Sequence, residues 1–188
     1  LYKEDPRLYI GNGIERNLHG ELAKYTEYGG SYFACHNAPR WHNHVKKIDM
    51  ESVGKDGLMV FFQDNIGYPG FIKGGNCFCE WCEKCFKEYL KDKYSDKQLS
   101  DLGIPNLEKF TIKDYILVTK KGELGESLLE DPVIREFILF QYSAQLGAWK
   151  DIVSALIAKS EAAGLSLPIT GNMATRPNPY GVLLSRIN

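Results

Sequence analysis

Leu58-Met59-Val60-Phe61-Phe62-Gln63-Asp64-Asn65 is the stretch on which the fold turns. Its first five residues are apolar without a break. A strand with one wet face alternates apolar and polar residues, whereas a continuous run suits a strand buried on both faces, as in parallel sheets. The polar close at Gln63-Asp64-Asn65 marks the strand's end. Upstream, Pro39-Arg40-Trp41 opens a helix, because proline suits the first helical turn. Trp41, Val45, Ile48 and Val53 follow at roughly helical spacing, and Gly54-Lys55-Asp56-Gly57 ends the helix. Farther upstream the signals weaken to two short extended runs, Leu8-Tyr9-Ile10 before Gly11-Asn12-Gly13, and Ser31 to Cys35.

Downstream, a loop containing Gly67, Pro69, Gly70, Gly74 and Gly75 leads into a cysteine-rich run at 76–85. Cys82 to Tyr94 reads as a helix with Phe86, Tyr89 and Leu90 on one face and Lys84, Lys87, Lys91 and Lys93 on its solvated side. Residues 95–131 are polar and long for a connection, so they read as an excursion with a short helix near 106–117. A long helix starts at Asp131-Pro132, runs to about Ala163 and closes at Gly164. Its stripe is Ile134, Phe137, Ile138, Gln141, Leu146, Trp149, Ile152, Val153 and Leu156, with Gln141 the polar interruption. Leu165 to Thr170 is the next strand, ending in Gly171-Asn172-Met173. No repeat or linker divides the chain, so residues 1–188 are expected to form one domain. The element order predicts right-handed βα units on a parallel sheet.

A chain of 188 residues, 44% of them hydrophobic, can build a real core. The net charge of −1 gives no footprint for nucleic acid. The longest apolar runs are far too short to span a bilayer, so no membrane partner is expected. Five cysteines, an odd number, argue against a pure disulfide framework. A chain of this size does not need such staples, and a reducing, cytoplasmic location is expected, with an extracellular one left open.

Four of those cysteines, Cys77, Cys79, Cys82 and Cys85, fall within nine residues. Clustered thiols share a metal or exchange electrons more readily than they fill apolar gaps. Cys77 and Cys79 can face one side of an extended segment. Cys79-Glu80-Trp81-Cys82 has the spacing that folds two sulfurs onto one ion, and a helix N-terminus there favours thiolate. Spacing alone leaves Cys35 and Cys85 both open as the remaining ligand. Four thiolates suit tetrahedral zinc in a closed, structural site with no place for a reacting water. A Cys79/Cys82 redox pair is the competing reading. His36, His42 and His44 are read as surface or packing residues, and Glu15 follows too weak a strand signal to be assigned.

The segment from Ser31 to Lys93 resembles the middle of family 42 glycoside hydrolases, the β-galactosidase-type (β/α)8 barrels. Tyr32-Phe33-Ala34-Cys35-His36-Asn37-Ala38-Pro39 is similar to their Y-C-x-x-S/N-P segment. Gly57 to Asn65 is similar to a barrel strand ending in D-N, Cys77 to Cys82 to their C-x-C-x-x-C, and Phe86 to Tyr94 to F-x-x-W-L-x-x-K-Y. The resemblance implies a TIM-barrel-like α/β fold. A whole barrel takes about 250 residues, so the expectation is an incomplete portion of one. It also implies structural zinc on Cys35, Cys77, Cys79 and Cys82, with Cys85 set aside.

By the same resemblance the function is hydrolysis or binding of carbohydrate. Asp64 is the catalytic candidate, at a strand end where barrels keep their chemistry. Asn65, Asn172, Tyr68 and Arg176 are the substrate-binding candidates, and a homo-oligomer stays open. The sequence departs from the family at Ile66. The family has its general-acid Glu there, in D-N-E, and isoleucine carries no proton. A glycosidase needs two carboxyl groups, about 5–5.5 Å apart for retention, and only Asp64 can be nominated. The alternatives are a noncatalytic relative that binds sugar or supports an assembly, and a zinc or redox module unrelated to glycosidases.

Overall fold

The computed structural model describes residues 13–25, 31–55, 61–63, 77–119, 130–166 and 168–171. Two short strands come first, β1 (Lys24–Tyr25) and β2 (Ser31–Tyr32), paired antiparallel with Lys24 opposite Tyr32. Isolated bridges between Ile14 and Ala34 and between Arg16 and Leu22 extend this ribbon. Helix α1 (Pro39–Ser52) follows, with proline in its first turn. Strand β3 (Phe61–Gln63) pairs in parallel with β4 (Ile169–Gly171), Phe62 opposite Thr170. Between them lie α2 (Glu80–Lys93), α3 (Asp96–Asp101), α4 (Ile112–Thr119) and α5 (Pro132–Ala162).

The expected portion of a (β/α)8 barrel is not what the described residues form. A barrel closes eight parallel strands around a packed interior. The described residues are mostly helical, and their strands, each two or three residues long, lie in two separate two-stranded sheets. The parallel pairing expected of the two apolar strands is present, but it joins one pair. The apolar spacing that matches a barrel helix serves helix-on-helix packing equally well. Phe86 and Leu90 of α2, Ile112 and Ile116 of α4, and Ile134 and Phe137 of α5 are all fully buried in one core. Leu99 and Ile104, from the polar stretch after α2, join it.

Each helix end has its own chemistry. Ser95 and Gln98 form a reciprocal capping box at α3, where the Gln98 side chain accepts the Ser95 N–H at 2.9 Å. At α4 the Thr111 hydroxyl accepts the Asp114 N–H at 3.0 Å, and a carboxylate from another helix adds to this local cap. Glu83 of α2 accepts the Ile112 N–H at 3.0 Å and the Lys113 N–H at 3.1 Å. Two of the expected solvated lysines also have tertiary partners. Lys87 donates to the Glu108 carbonyl at 2.8 Å, and Lys93 donates to Glu136 at 2.7 Å.

Helix α5 follows the expected bounds and buries most of the expected stripe, with a local departure at its middle. Gln145 is buried, whereas Leu146 is 60% exposed. Helix α1 packs on α5 without a fully buried residue of its own, and Ile48 is half exposed. The contact is made by Trp41 and Trp149, whose ring centroids lie 6.3 Å apart, and by Lys46 with Asp151 at 2.9 Å.

Asp131 begins α5 and accepts the Val133 N–H at 2.9 Å and the Ile134 N–H at 3.1 Å. It also accepts the Tyr115 hydroxyl at 3.0 Å, tying α4 to the start of α5. Burial, with this hydrogen bond second, pushes the Tyr115 phenol up to about 12. Asp131→Ala is expected to cost about 2 kcal/mol, the upper end for a lost N-cap, because a tertiary bond goes with it. The urea midpoint should fall at unchanged slope, with Asp131→Asn closer to the parent protein. An unchanged midpoint in Asp131→Ala would remove the cap from the account of α5.

Candidate metal centre

The two-residue period of extended chain builds one half of the site. In Cys77-Phe78-Cys79 the two sulfurs turn one way and the ring turns the other. Phe78 stacks on Phe137 at 5.3 Å in the helical core, while Cys77 and Cys79 join a second buried cluster with Cys35, Ala38 and Cys82. Two bonds hold the segment. The Phe78 N–H donates to the Arg16 carbonyl at 2.8 Å, and the Gln141 amide of α5 donates to the Cys77 carbonyl at 2.9 Å.

Cys79 is the N-cap of α2, so Cys82 falls in the first helical turn, where free amides favour negative sulfur. The other half comes from the ribbon. The Cys35 N–H donates to the Gly13 carbonyl at 2.8 Å, and a turn closed by Ala38 N–H to the Cys35 carbonyl at 3.0 Å leads into α1.

Cys35, Cys77, Cys79 and Cys82 are all buried, and their sulfurs lie within 4.8 Å of one another. Cys35 and Cys82 are 3.4 Å apart, and Cys79 and Cys35 are 3.5 Å apart. A disulfide is much shorter, about 2.05 Å, and all five cysteines are free. A zinc–sulfur bond of about 2.3 Å sets the edge of a tetrahedron near 3.8 Å. The observed spacing brackets that value, so the four sulfurs need only small shifts to enclose an ion. Cys85 is half-buried and packs against the helical core instead.

The electrostatics point the same way. Hydrogen bonds from Cys35, Cys77 and Cys82 hold the Cys79 thiol far below its usual range. Hydrogen bonding to Cys77 and Cys79, then burial, pushes Cys35 far up, and bonding to Cys35 first among its neighbours pushes Cys82 up. Charge on Cys79 thus conflicts with charge on Cys35 and Cys82. A divalent cation removes the conflict, because it deprotonates its coordinating thiols outright. Glu15, which the sequence left unassigned, is 2% exposed. Burial first, then charge on Cys77 and Cys79, push its carboxyl well above the usual range. His36 packs edge-on against Trp41 at 4.9 Å, and burial, with His42 second, pushes its imidazole down to about 4.

Asp64, Asn65, Tyr68, Asn172 and Arg176 lie outside the described residues, as does Ile66. The residues that sequence reasoning missed are supporting ones. Gln141 was visible only as a polar break in an apolar stripe, and Asn37 only as a neighbour of Cys35.

The chain is similar to two bacterial β-galactosidases. It is 30% identical over 103 residues to β-galactosidase LacA of Lactobacillus acidophilus, covering 53% of this chain and 15% of that protein. It is 37% identical over 54 residues to β-galactosidase LacZ of the same species, covering 28% of this chain and 8% of that protein. The chain therefore spans a small part of the length of these relatives. The similarity connects part of it to glycoside hydrolases. No protein-family profile and no solved structure matches.

Proposed function

We propose that this chain is a zinc-stapled relative of glycoside hydrolases that acts on or binds a carbohydrate. The observation that carries the metal is the set of four buried sulfurs within 4.8 Å. Four soft ligands saturate a tetrahedral ion and leave no position for water. The metal's task is then structural, joining the Cys35 turn to the start of α2. A thiolate site of this kind suits a reducing compartment. Partial similarity to LacA and LacZ supports the carbohydrate. Asp64 is the proposed carboxylate, with Asn65, Tyr68, Asn172 and Arg176 as sugar contacts. Ile66, where the resemblance has a glutamate, favours the second reading, a binder without turnover.

An aryl β-galactoside assay and a galactose-binding titration, run on the parent protein and Asp64→Asn, separate these readings. Hydrolysis that falls about a hundredfold or more in Asp64→Asn supports the enzyme. Saturable binding without hydrolysis supports the binder. Neither turnover nor binding, with this or any other glycoside tried, sinks the carbohydrate assignment.

A further inference from the structure

The Cys35-His36-Asn37-Ala38 turn delivers more than one ligand to the site. Its closing hydrogen bond, Ala38 N–H to the Cys35 carbonyl at 3.0 Å, fixes the direction of Asn37 as well as Cys35. The Asn37 side-chain amide donates to the Cys82 sulfur at 3.3 Å, across 45 positions of sequence. One turn therefore offers a sulfur to the centre and, two residues on, a hydrogen bond to a sulfur from the opposite segment. Cys82 is 0% exposed, so no water competes for that sulfur. Against a metal-bound thiolate only a donor suits that place, because an acceptor would face negative sulfur at contact distance.

We infer that Asn37 is a positioning residue of the metal centre, whose amide N–H aims the Cys82 sulfur and stabilises its negative charge as a ligand of the bound ion. The inference rests on the four-sulfur reading above. It follows from the general behaviour of metal sites, in which partners of the ligands set ligand direction and donor strength, and their loss typically weakens metal binding about 10–100-fold. A packing role for Asn37 would predict lost stability without any change at sulfur. A positioning role predicts a change at sulfur even in a protein that folds.

The test titrates zinc against a chromophoric chelator and records the absorption of the cobalt(II)-substituted protein. It compares the parent chain with Asn37→Leu, which keeps bulk without a donor, and Asn37→Ser, which keeps a shorter one. Asn37→Leu is expected to release zinc about 10–100-fold more readily. Its sulfur-to-cobalt charge-transfer bands should move to lower energy, since an unbonded thiolate gives up electrons more easily, and Asn37→Ser should fall between. Should Asn37→Leu fold poorly, the Asn37→Ser spectrum still decides. Parent-like affinity and bands in both variants overturn the role of Asn37 and leave the metal site standing. Failure of the parent chain to take up zinc or cobalt overturns both.

Discussion

Stripping the metal with a strong chelator is expected to lower the melting temperature by roughly 8–16 °C. The figure combines about 4 kcal/mol of linkage at a thousandfold excess over Kd with about 2–4 °C per kcal/mol for a domain of this size. The physical basis is the sulfur cluster itself. Four buried thiols cannot all ionise at this spacing without a cation. Zinc that binds the assembled cluster and not the unfolded chain converts its affinity into stability. Elemental analysis should find about one zinc per chain, and Cys79→Ser should lose both the metal and its contribution to melting. Acidification should release the ion, because protons compete for the same sulfurs. Metal-free protein whose melting ignores the chelator, and which yields a Cys79–Cys82 disulfide on mild oxidation, would hand the site to redox chemistry.

Phe137→Ala is expected to cost about 3–5 kcal/mol, the range for deleting a buried aromatic ring. Phe137 is fully buried at the meeting point of three rings. Its centroid lies 5.1 Å from Phe86, 5.3 Å from Phe78 and 6.1 Å from Phe140. The melting temperature should fall by roughly 6–20 °C. Phe78 is the ring between two of the sulfur-bearing residues, so zinc retention should weaken as well. Phe137→Leu, nearer in volume, should lose less. Melting of the alanine variant within about 2 °C of the parent would mean that the site collapses without a cavity and that this ring cluster does not organise the core.

Local signals were legible in the sequence wherever a residue acts on its own neighbours. Asp131-Pro132 and Gly164 bracket α5 as their cap and turn chemistry predicts, and Gly164 takes the positive φ of 69° that ends the helix. Pro39 opens α1. The sulfur cluster was visible from spacing, although the choice of Cys35 over Cys85 came from the family resemblance. What was not legible acts across distance. Nothing near Ile112 announces that Glu83 will cap its helix. The apolar stripe could not choose between Leu146 and Gln145, because adjacent residues on a helix differ by about 100° and the partner surface decides which is covered. The barrel expectation came from the family resemblance and the order of apolar elements, and an apolar face does not record which element buries it.

Gln141 and the four sulfurs have a consequence for time as well as for stability. Cys35 and Cys82 are 47 positions apart, and Gln141 reaches back 64 positions to Cys77. Contacts of such long sequence range form only after large loops have closed, and they slow folding relative to local helix growth. The helices can grow locally while the ion's seat is still unbuilt. The seat that four sulfurs offer an ion is thus complete only once the ribbon, the head of α2 and the middle of α5 have met.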